Sequence, residues 1–328
     1  MRSQVGLYLV GSLALALSLS RVSAATLSTA VFSAVFVLFV LCVLDEFLHR
    51  FHMHDLRDVE PRPGGVAVVT GASSGLGREI AYVLAEKRFH LVLVGRSKDT
   101  LTRMATELHD VWDIDVHVCV ADLSLAAGPV QVMEFVTSNA LQVDILVNCA
   151  GAMQRGPFAS HVLPDVTSMM QLNTTSAVAL CHLVLPGMLE RTCGRILNIA
   201  SIAAASPMPL AATYAASKAF LVRFTQALNY ECRHKVGVTA FCPGPMRTPF
   251  FDAGHPAPLL LNLPLASDPK DVATRAVAAM LAGTETAFDS WTSMVCYHGG
   301  VVFGEFRLAA LFSAVCWSAP ADAAAAIL

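Results

Sequence analysis

From residue 66 onward the chain alternates short apolar runs with longer stretches in which apolar positions recur every three or four residues. The runs "VAVVT" (66–70), "HLVLVG" (90–95), "DVHVCVAD" (115–122), "VDILVNCAG" (143–151), "GRILNIAS" (194–201) and "GVTAFCPG" (237–244) predict strands. Runs such as "HLVLV" and "DILVN" lack polar alternation, which a strand covered on both faces requires. The intervening segments predict helices. They are "LGREIAYVLAEKR" (76–88), with Ile80, Val83 and Leu84 on one face, "KDTLTRMATELHDV" (98–111) and "GPVQVMEFVTSNA" (128–140). A long helix about Met169 to Glu190 and "TYAASKAFLVRFTQALNYECR" (213–233) follow. Asp268, Pro269 and Asp271 mark one more helix start, and Gly283 marks its end. Strands alternating with helices of ten or more residues predict βαβ units, and so an α/β fold: a doubly wound parallel sheet.

The N-terminal pattern is different. Val5 to Ser20 is almost wholly apolar or small, Arg21 interrupts, and Val22 to Leu44 runs 23 residues without a charge. The second run is long enough to span a bilayer. The first, with Arg2 before it and "VSA" at 22–24, reads as a signal-peptide core or as the first leg of a membrane hairpin. Residues 1–44 are therefore expected to be a hydrophobic membrane region, and 45–65 a polar linker closed by Pro61, Pro63, Gly64 and Gly65. Arg50, Arg57 and Arg62 point that flank toward the cytoplasm. His49, His52 and His54 form no dense ligand set with cysteines or acids, so no metal is expected. The catalytic domain is expected over 66–290, with an apolar lid about 249–267. An apolar tail over 291–328 follows, in which Val302, Phe303, Phe306, Ala309, Leu311 and Phe312 form a stripe suited to a membrane, to the domain or to another subunit.

Composition narrows the partners. Only 14% of the 328 residues are charged, 55% are apolar, and the net charge is -3. Nucleic acid is not an expected partner. Nine cysteines without a C-x-x-C pair suggest a reducing compartment and no disulfide framework.

The chemistry begins at "TGASSGLG" (70–77), which follows the first strand and opens the first helix. Glycines here permit a tight turn (Gly71), backbone approach to a pyrophosphate (Gly75) and close helix packing (Gly77), and the helix N-terminus then faces an anion. Gly71, Ser73, Ser74, Gly75, Leu76 and Gly77 are the candidate cofactor contacts of this turn. The second strand ends in Gly95 and Arg96. No carboxylate is offered to a ribose 2′-hydroxyl, whereas the guanidinium suits a 2′-phosphate, so NADP(H) is expected in preference to NAD(H). Tyr214 and Lys218 stand four residues apart on one helical face. An ammonium there is expected to pull the phenol's pKa down toward neutrality.

Four more pieces fall in order along the chain: "NCAG" (148–151), Asn173 in "MMQLNTTSA", Ser201 thirteen residues before Tyr214, and "CPGPMRT" (242–248). Taken with the glycine turn, the set resembles the short-chain dehydrogenase/reductase family over about Gly65 to Gly283, which implies a Rossmann fold. The resemblance implies Tyr214 as general acid/base, Lys218 as its partner and a ribose contact, Ser201 on the substrate oxygen, and Asn173 in a proton relay to Lys218. It implies further cofactor contacts at Asp122 and Leu123 in "ADLS", at Asn148, Ala150 and Gly151, and at Pro243, Gly244 and Thr248. Cys149 stands where the family usually has asparagine, and Ala200 where a second serine is common. "LVLPGMLERTCGRILNIAS" (183–201) resembles the branch of membrane-bound 3-oxoacyl-CoA and 17β-hydroxysteroid reductases. The expected activity is reduction of a lipid ketone, 3-oxoacyl or steroid-like, by NADPH at the endoplasmic reticulum membrane. A 3-ketosphinganine-type reductase is an alternative within that class. A catalytically silent NADP(H)-binding membrane scaffold or redox sensor is one outside it. Family habit implies a homodimer or homotetramer. The sequon at Asn173 favours a cytoplasmic domain, because a glycan there would destroy the site.

Overall fold

The computed structural model describes residues 63–232, 235–248, 250 and 266–302. The hydrophobic N-terminal region, most of the linker, most of the lid and the tail beyond 302 lie outside the described residues. Seven strands form one parallel sheet: β1 (Val66–Thr70), β2 (His90–Gly95), β3 (Val116–Val120), β4 (Val143–Asn148), β5 (Arg195–Ile199), β6 (Gly237–Cys242) and β7 (Thr286–Phe288). Their order is β3-β2-β1-β4-β5-β6-β7. The register runs Val66 to His90 between β1 and β2, and Ile145 to Arg195 between β4 and β5. The helices are α1 (Gly75–Glu86), α2 (Lys98–Trp112), α3 (Gly128–Ser138), α4 (Leu163–Met170), α5 (Ser176–Arg191), α6 (Ala212–Cys232), α7 (Pro269–Leu281) and α8 (Trp291–Val302).

Strand parity sorts the core into two layers. Ala67, Val69, Leu91, Leu93, Ile145 and Val147 face α1, α2 and α7, where Ile80, Leu84, Leu101, Leu108 and Val277 meet them. Val68, Val92, Val94 and Leu146 face the opposite way, toward Val132, Leu180, Val184 and Met188 of α3 and α5. Side chains on both faces of these strands are buried, and this is the reason the strands lack polar alternation. The expected doubly wound parallel sheet is the fold found.

Two differences in element structure bear on the site. The long helix expected about Met169 to Glu190 starts earlier, at Leu163, and contains one wide turn over Gln171–Thr175. Such a bulge carries an extra residue and turns one side chain off the regular helical face. Here the bulge contains Asn173. Second, β7 and α8 were not expected. Thr286 to Phe288 pairs with Ala240 to Cys242, and Tyr297 of α8 is buried against Ala200, Val222 and Cys242.

Candidate functional site

The chain order reverses between β1 and β4, and a crevice opens there at the carboxyl ends of the strands, the usual ligand position in an open α/β sheet. It is a cavity of about 460 Å³. Its wall is drawn from the end of every strand from β1 to β6. Gly71 to Gly77 come after β1, Arg96 after β2, Asp122 and Leu123 after β3, Ala150 and Gly151 after β4, Ser201 after β5, and Pro243, Gly244 and Thr248 after β6. Tyr214 and Lys218 enter from α6. Of the residues expected from sequence, all line this cavity except Asn148 and Asn173, which are buried behind the wall.

The glycine turn is packed tightly at two points. Gly71 has φ of +68°, and a Cβ there would lie 2.9 Å from the Ala150 Cα. A Cβ on Gly77 would lie 2.4 Å from the Gly71 carbonyl oxygen. Gly75 differs: its φ is +54°, but a Cβ would meet Thr248 at an ordinary 3.6 Å. Ser74 begins α1 without its side chain capping the helix, so that hydroxyl leaves the first-turn amides to another acceptor. Thr70 fixes the opposite wall. Its Oγ1 accepts from the Cys149 and Ala150 amides at 3.0 and 3.1 Å and donates to the Val147 carbonyl at 3.1 Å.

Asn148, expected among the cofactor contacts, lies behind the cavity wall. Its amide nitrogen donates to Asn198 Oδ1 at 2.8 Å, and Asn198 in turn donates to Thr225 Oγ1 at 2.8 Å. A buried amide must satisfy its donors, and Asn148 does so by tying β4 to β5 and α6 instead of facing the crevice.

Asn173 is clamped on both sides. Its Oδ1 accepts from the Ala152 amide at 2.9 Å, and its Nδ2 donates to the Ala152 carbonyl at 2.9 Å and to Ser217 Oγ at 3.0 Å. Ser217, fully buried, donates to the Tyr214 carbonyl at 2.7 Å. Asn173 therefore joins the wall after β4 to the turn of α6 that carries Tyr214. Ser217 was not singled out from sequence, although its place between Tyr214 and Lys218 on a helix start was the available signal.

Tyr214 and Lys218 are both buried. The Ser201 side chain hydrogen-bonds the Tyr214 hydroxyl. Lys218 Nζ lies 5.8 Å from the Tyr214 ring centroid and donates to the Ile199 carbonyl at 2.8 Å. The expected depression of the phenol does not appear. Burial pushes Tyr214 up to about 12, outweighing the hydrogen bond from Ser201. Burial also brings Lys218 down to about 8, against the upward pull of the Cys149 and Cys242 thiols. Desolvation penalises both charged forms, and the lysine's charge is spent on a carbonyl rather than on the phenol. At the crevice rim, Asp122 Oδ1 accepts from the Ser124 amide and hydroxyl at 2.9 and 2.6 Å. Those bonds hold its carboxyl below the usual range, with a smaller contribution from Arg96.

Beyond Tyr214 the wall turns apolar. Met153, Met208 and Phe250 pack around Tyr214 with Ala203 and Ala211, and the Phe250 ring lies 6.0 Å from the tyrosine ring. Among the described residues, no group of three or more histidines, cysteines or acids is placed to hold a metal.

A family model described as short chain dehydrogenase matches residues 65–257. A very-long-chain 3-oxoacyl-CoA reductase of Laccaria bicolor is 34% identical over 194 residues, 58% of this chain and 57% of that protein. The chain thus spans just over half the length of the curated reductases of that name that it matches. An uncharacterized oxidoreductase of Staphylococcus saprophyticus is 34% identical over 217 residues, 66% of this chain and 90% of its own. Among solved structures, a short-chain dehydrogenase from Sphingobium yanoikuyae in complex with NADPH superposes with a TM-score of 0.65 and 27% identity. That alignment covers 79% of this chain and 98% of the other. The match extends over more than half the chain and carries the whole sheet from β1 to β6, and on that ground the protein belongs to the short chain dehydrogenase family of oxidoreductases.

Proposed function

We propose that the protein reduces the ketone of an apolar, lipid-type substrate with NADPH, with Tyr214 as the proton donor. The observation that carries the reading is the meeting of the Tyr214 hydroxyl, Ser201 and Lys218 in one buried crevice, with a bare glycine turn at one end and an apolar wall at the other. The residues fit the cofactor. The backbone of Gly71 to Gly77 and the uncapped start of α1 suit a pyrophosphate, and Arg96 at the rim suits a 2′-phosphate. NADPH, when bound, supplies the hydride. The chain supplies the proton and the positioning. A phenol held at about 12 keeps its proton at neutral pH and gives it up only to a strongly basic oxygen, such as a carbonyl oxygen gaining charge during reduction. Ser201, beside that phenol in the crevice, is the second hydroxyl available to the same oxygen. Lys218, still protonated at neutral pH, keeps positive charge beside the reacting group. Asn173 holds the Gly151–Ala152 wall and α6 in register.

The apolar end, with Met153, Met208 and Phe250 around Tyr214, favours an alkyl or acyl chain over a sugar. A 3-oxoacyl thioester of the kind acted on by the named relatives is the leading substrate. The uncharged run Val22 to Leu44 supports a membrane anchor, placed at the endoplasmic reticulum with the catalytic domain toward the cytoplasm. The test is NADPH oxidation with long-chain 3-oxoacyl thioesters, steroids and simple ketones, alongside Tyr214→Phe. The variant is expected to lose about 10²–10⁴ of the rate while binding NADPH as well as the parent does. Cofactor binding without turnover on any carbonyl overturns the enzyme reading and leaves a scaffold.

A further inference from the structure

Beyond the residues matched by the family model lies a buried carboxylate that the proposed reaction does not use. Asp289 follows β7 and is 2% exposed. Its Oδ1 accepts from the Gly244 amide at 2.8 Å, and its Oδ2 accepts from Ser267 Oγ at 2.7 Å. Its own carbonyl accepts from Arg275 Nη1 of α7. These partners are not neighbours in sequence. Gly244 begins the segment that leaves β6 along the crevice, and Ser267 ends the stretch that returns to α7. Two further contacts close the same junction. The Ser267 amide donates to the Pro245 carbonyl at 3.1 Å, and Met246 bridges Ser267. The space around Gly244 is filled as well, since a Cβ there would lie 2.5 Å from Ser293 Oγ. The segment Pro243 to Thr248 is thus held from one side by Asp289. From the other it is held by its Pro243 carbonyl, which accepts from the Ile202 amide at 3.1 Å, one residue from Ser201.

We infer that Asp289 is a positioning residue for cofactor binding. One carboxylate fixes Gly244 and Ser267 together, and so sets where Pro243, Gly244 and Thr248 stand against the glycine turn. Thr248 is the residue that faces Gly75 across the crevice. Hydrogen bonds to a carboxylate are stronger and more directional than neutral ones, and a single buried acid with two separate partners holds Gly244 and Ser267 to one point. The inference rests on the reading that this crevice takes NADPH, and its effect falls on cofactor affinity rather than on proton transfer.

The experiment titrates NADPH into the full chain by nucleotide fluorescence, and measures kcat at saturating cofactor with whichever carbonyl substrate turns over. Asp289→Ala is expected to weaken NADPH binding by about tenfold or more, the scale of one or two charge-assisted hydrogen bonds, with kcat changed by less than about threefold. Ser267→Ala, which cuts one arm, is expected to weaken binding by a smaller factor. Asp289→Asn retains an acceptor for Gly244 and a donor for the Ser267 hydroxyl, so it is expected to restore binding to within about threefold. A general loss of fold would lower the melting temperature and the active fraction without this split or this rescue. Unchanged affinity in Asp289→Ala, with the parent binding NADPH, overturns the inference. Should Asp289→Ala not fold, Ser267→Ala carries the test alone, and unchanged affinity there overturns it too. A parent chain that does not bind NADPH refutes the cofactor reading itself, and the inference with it.

Discussion

Gly77→Ala tests the packing of the glycine turn directly. A Cβ at residue 77 would sit 2.4 Å from the Gly71 carbonyl oxygen, 2.8 Å from its carbonyl carbon and 3.2 Å from the Thr70 carbonyl oxygen. Side-chain carbons essentially never come within 3.0 Å, and every one of these neighbours is backbone, so no rotamer change relieves the overlap. The start of α1 must move by more than half an ångström away from the turn. Overpacking of this kind costs about 1–3 kcal/mol, and the better helix propensity of alanine returns about 0.5–1 kcal/mol. The 2.4 Å overlap with immovable backbone puts the cost in the upper part of that range, so the net loss is about 1–2.5 kcal/mol, which at about 2–4 °C per kcal/mol for a domain of this size predicts a melting temperature lower by about 2–10 °C. The same displacement moves the helix N-terminus away from the turn, so NADPH affinity is expected to fall by about tenfold or more. Gly75→Ala is the control. Its Cβ would meet Thr248 at 3.6 Å, and its cost comes from the φ of +54° alone, about 1–2 kcal/mol. The assays are thermal unfolding by intrinsic fluorescence and NADPH titration. A Gly77→Ala protein that melts within about 1 °C of the parent and binds NADPH equally well refutes the reasoning.

Two further outcomes follow from charge. Lys218 holds a proton to about pH 8 in the folded chain, against an ordinary 10.5. Between those values the unfolded chain binds more protons, so this group's penalty on stability shrinks as pH rises from 8. Tyr214, raised to about 12, acts oppositely above pH 10. The melting temperature of Lys218→Met relative to the parent is therefore expected to be most favourable below pH 8 and to decline toward pH 10; a pH-independent difference contradicts the assignment. Arg96→Ala is expected to weaken NADPH binding by about 10–100-fold, the value of charge-assisted contacts to a phosphate, with little change for NADH. Equal losses for both nucleotides in parallel titrations would remove Arg96 from phosphate recognition.

Local pattern reaches a long way in this chain. Continuous apolar runs report burial on both faces, because a strand's two sets of side chains meet two helical layers. The glycine turn, Arg96, Tyr214 and Lys218 were legible because their spacing sets their place on a strand end or a helix face, and the parallel sheet then gathers strand ends on one side; Asp122 and Ser201 entered only through the family resemblance. The limits appear where the cause is contact between distant segments. Asn148 has the same local setting as Ala150, yet its amide is claimed by Asn198, fifty residues away. Ser217 gains its part only because a wide turn aims Asn173 at it.

The order of elements and the place of the crevice follow from periodicity and from backbone geometry at glycine, both local properties of the chain. The electrostatics and the supports of the site exist only once distant segments are packed together. Tyr214 is raised and not lowered because desolvation, a property of everything packed around it, outweighs one neighbouring ammonium. Asp289 was invisible for the same reason: an acid after a three-residue strand carries no local signature, and only the folded chain brings Gly244 and Ser267 to its two oxygens.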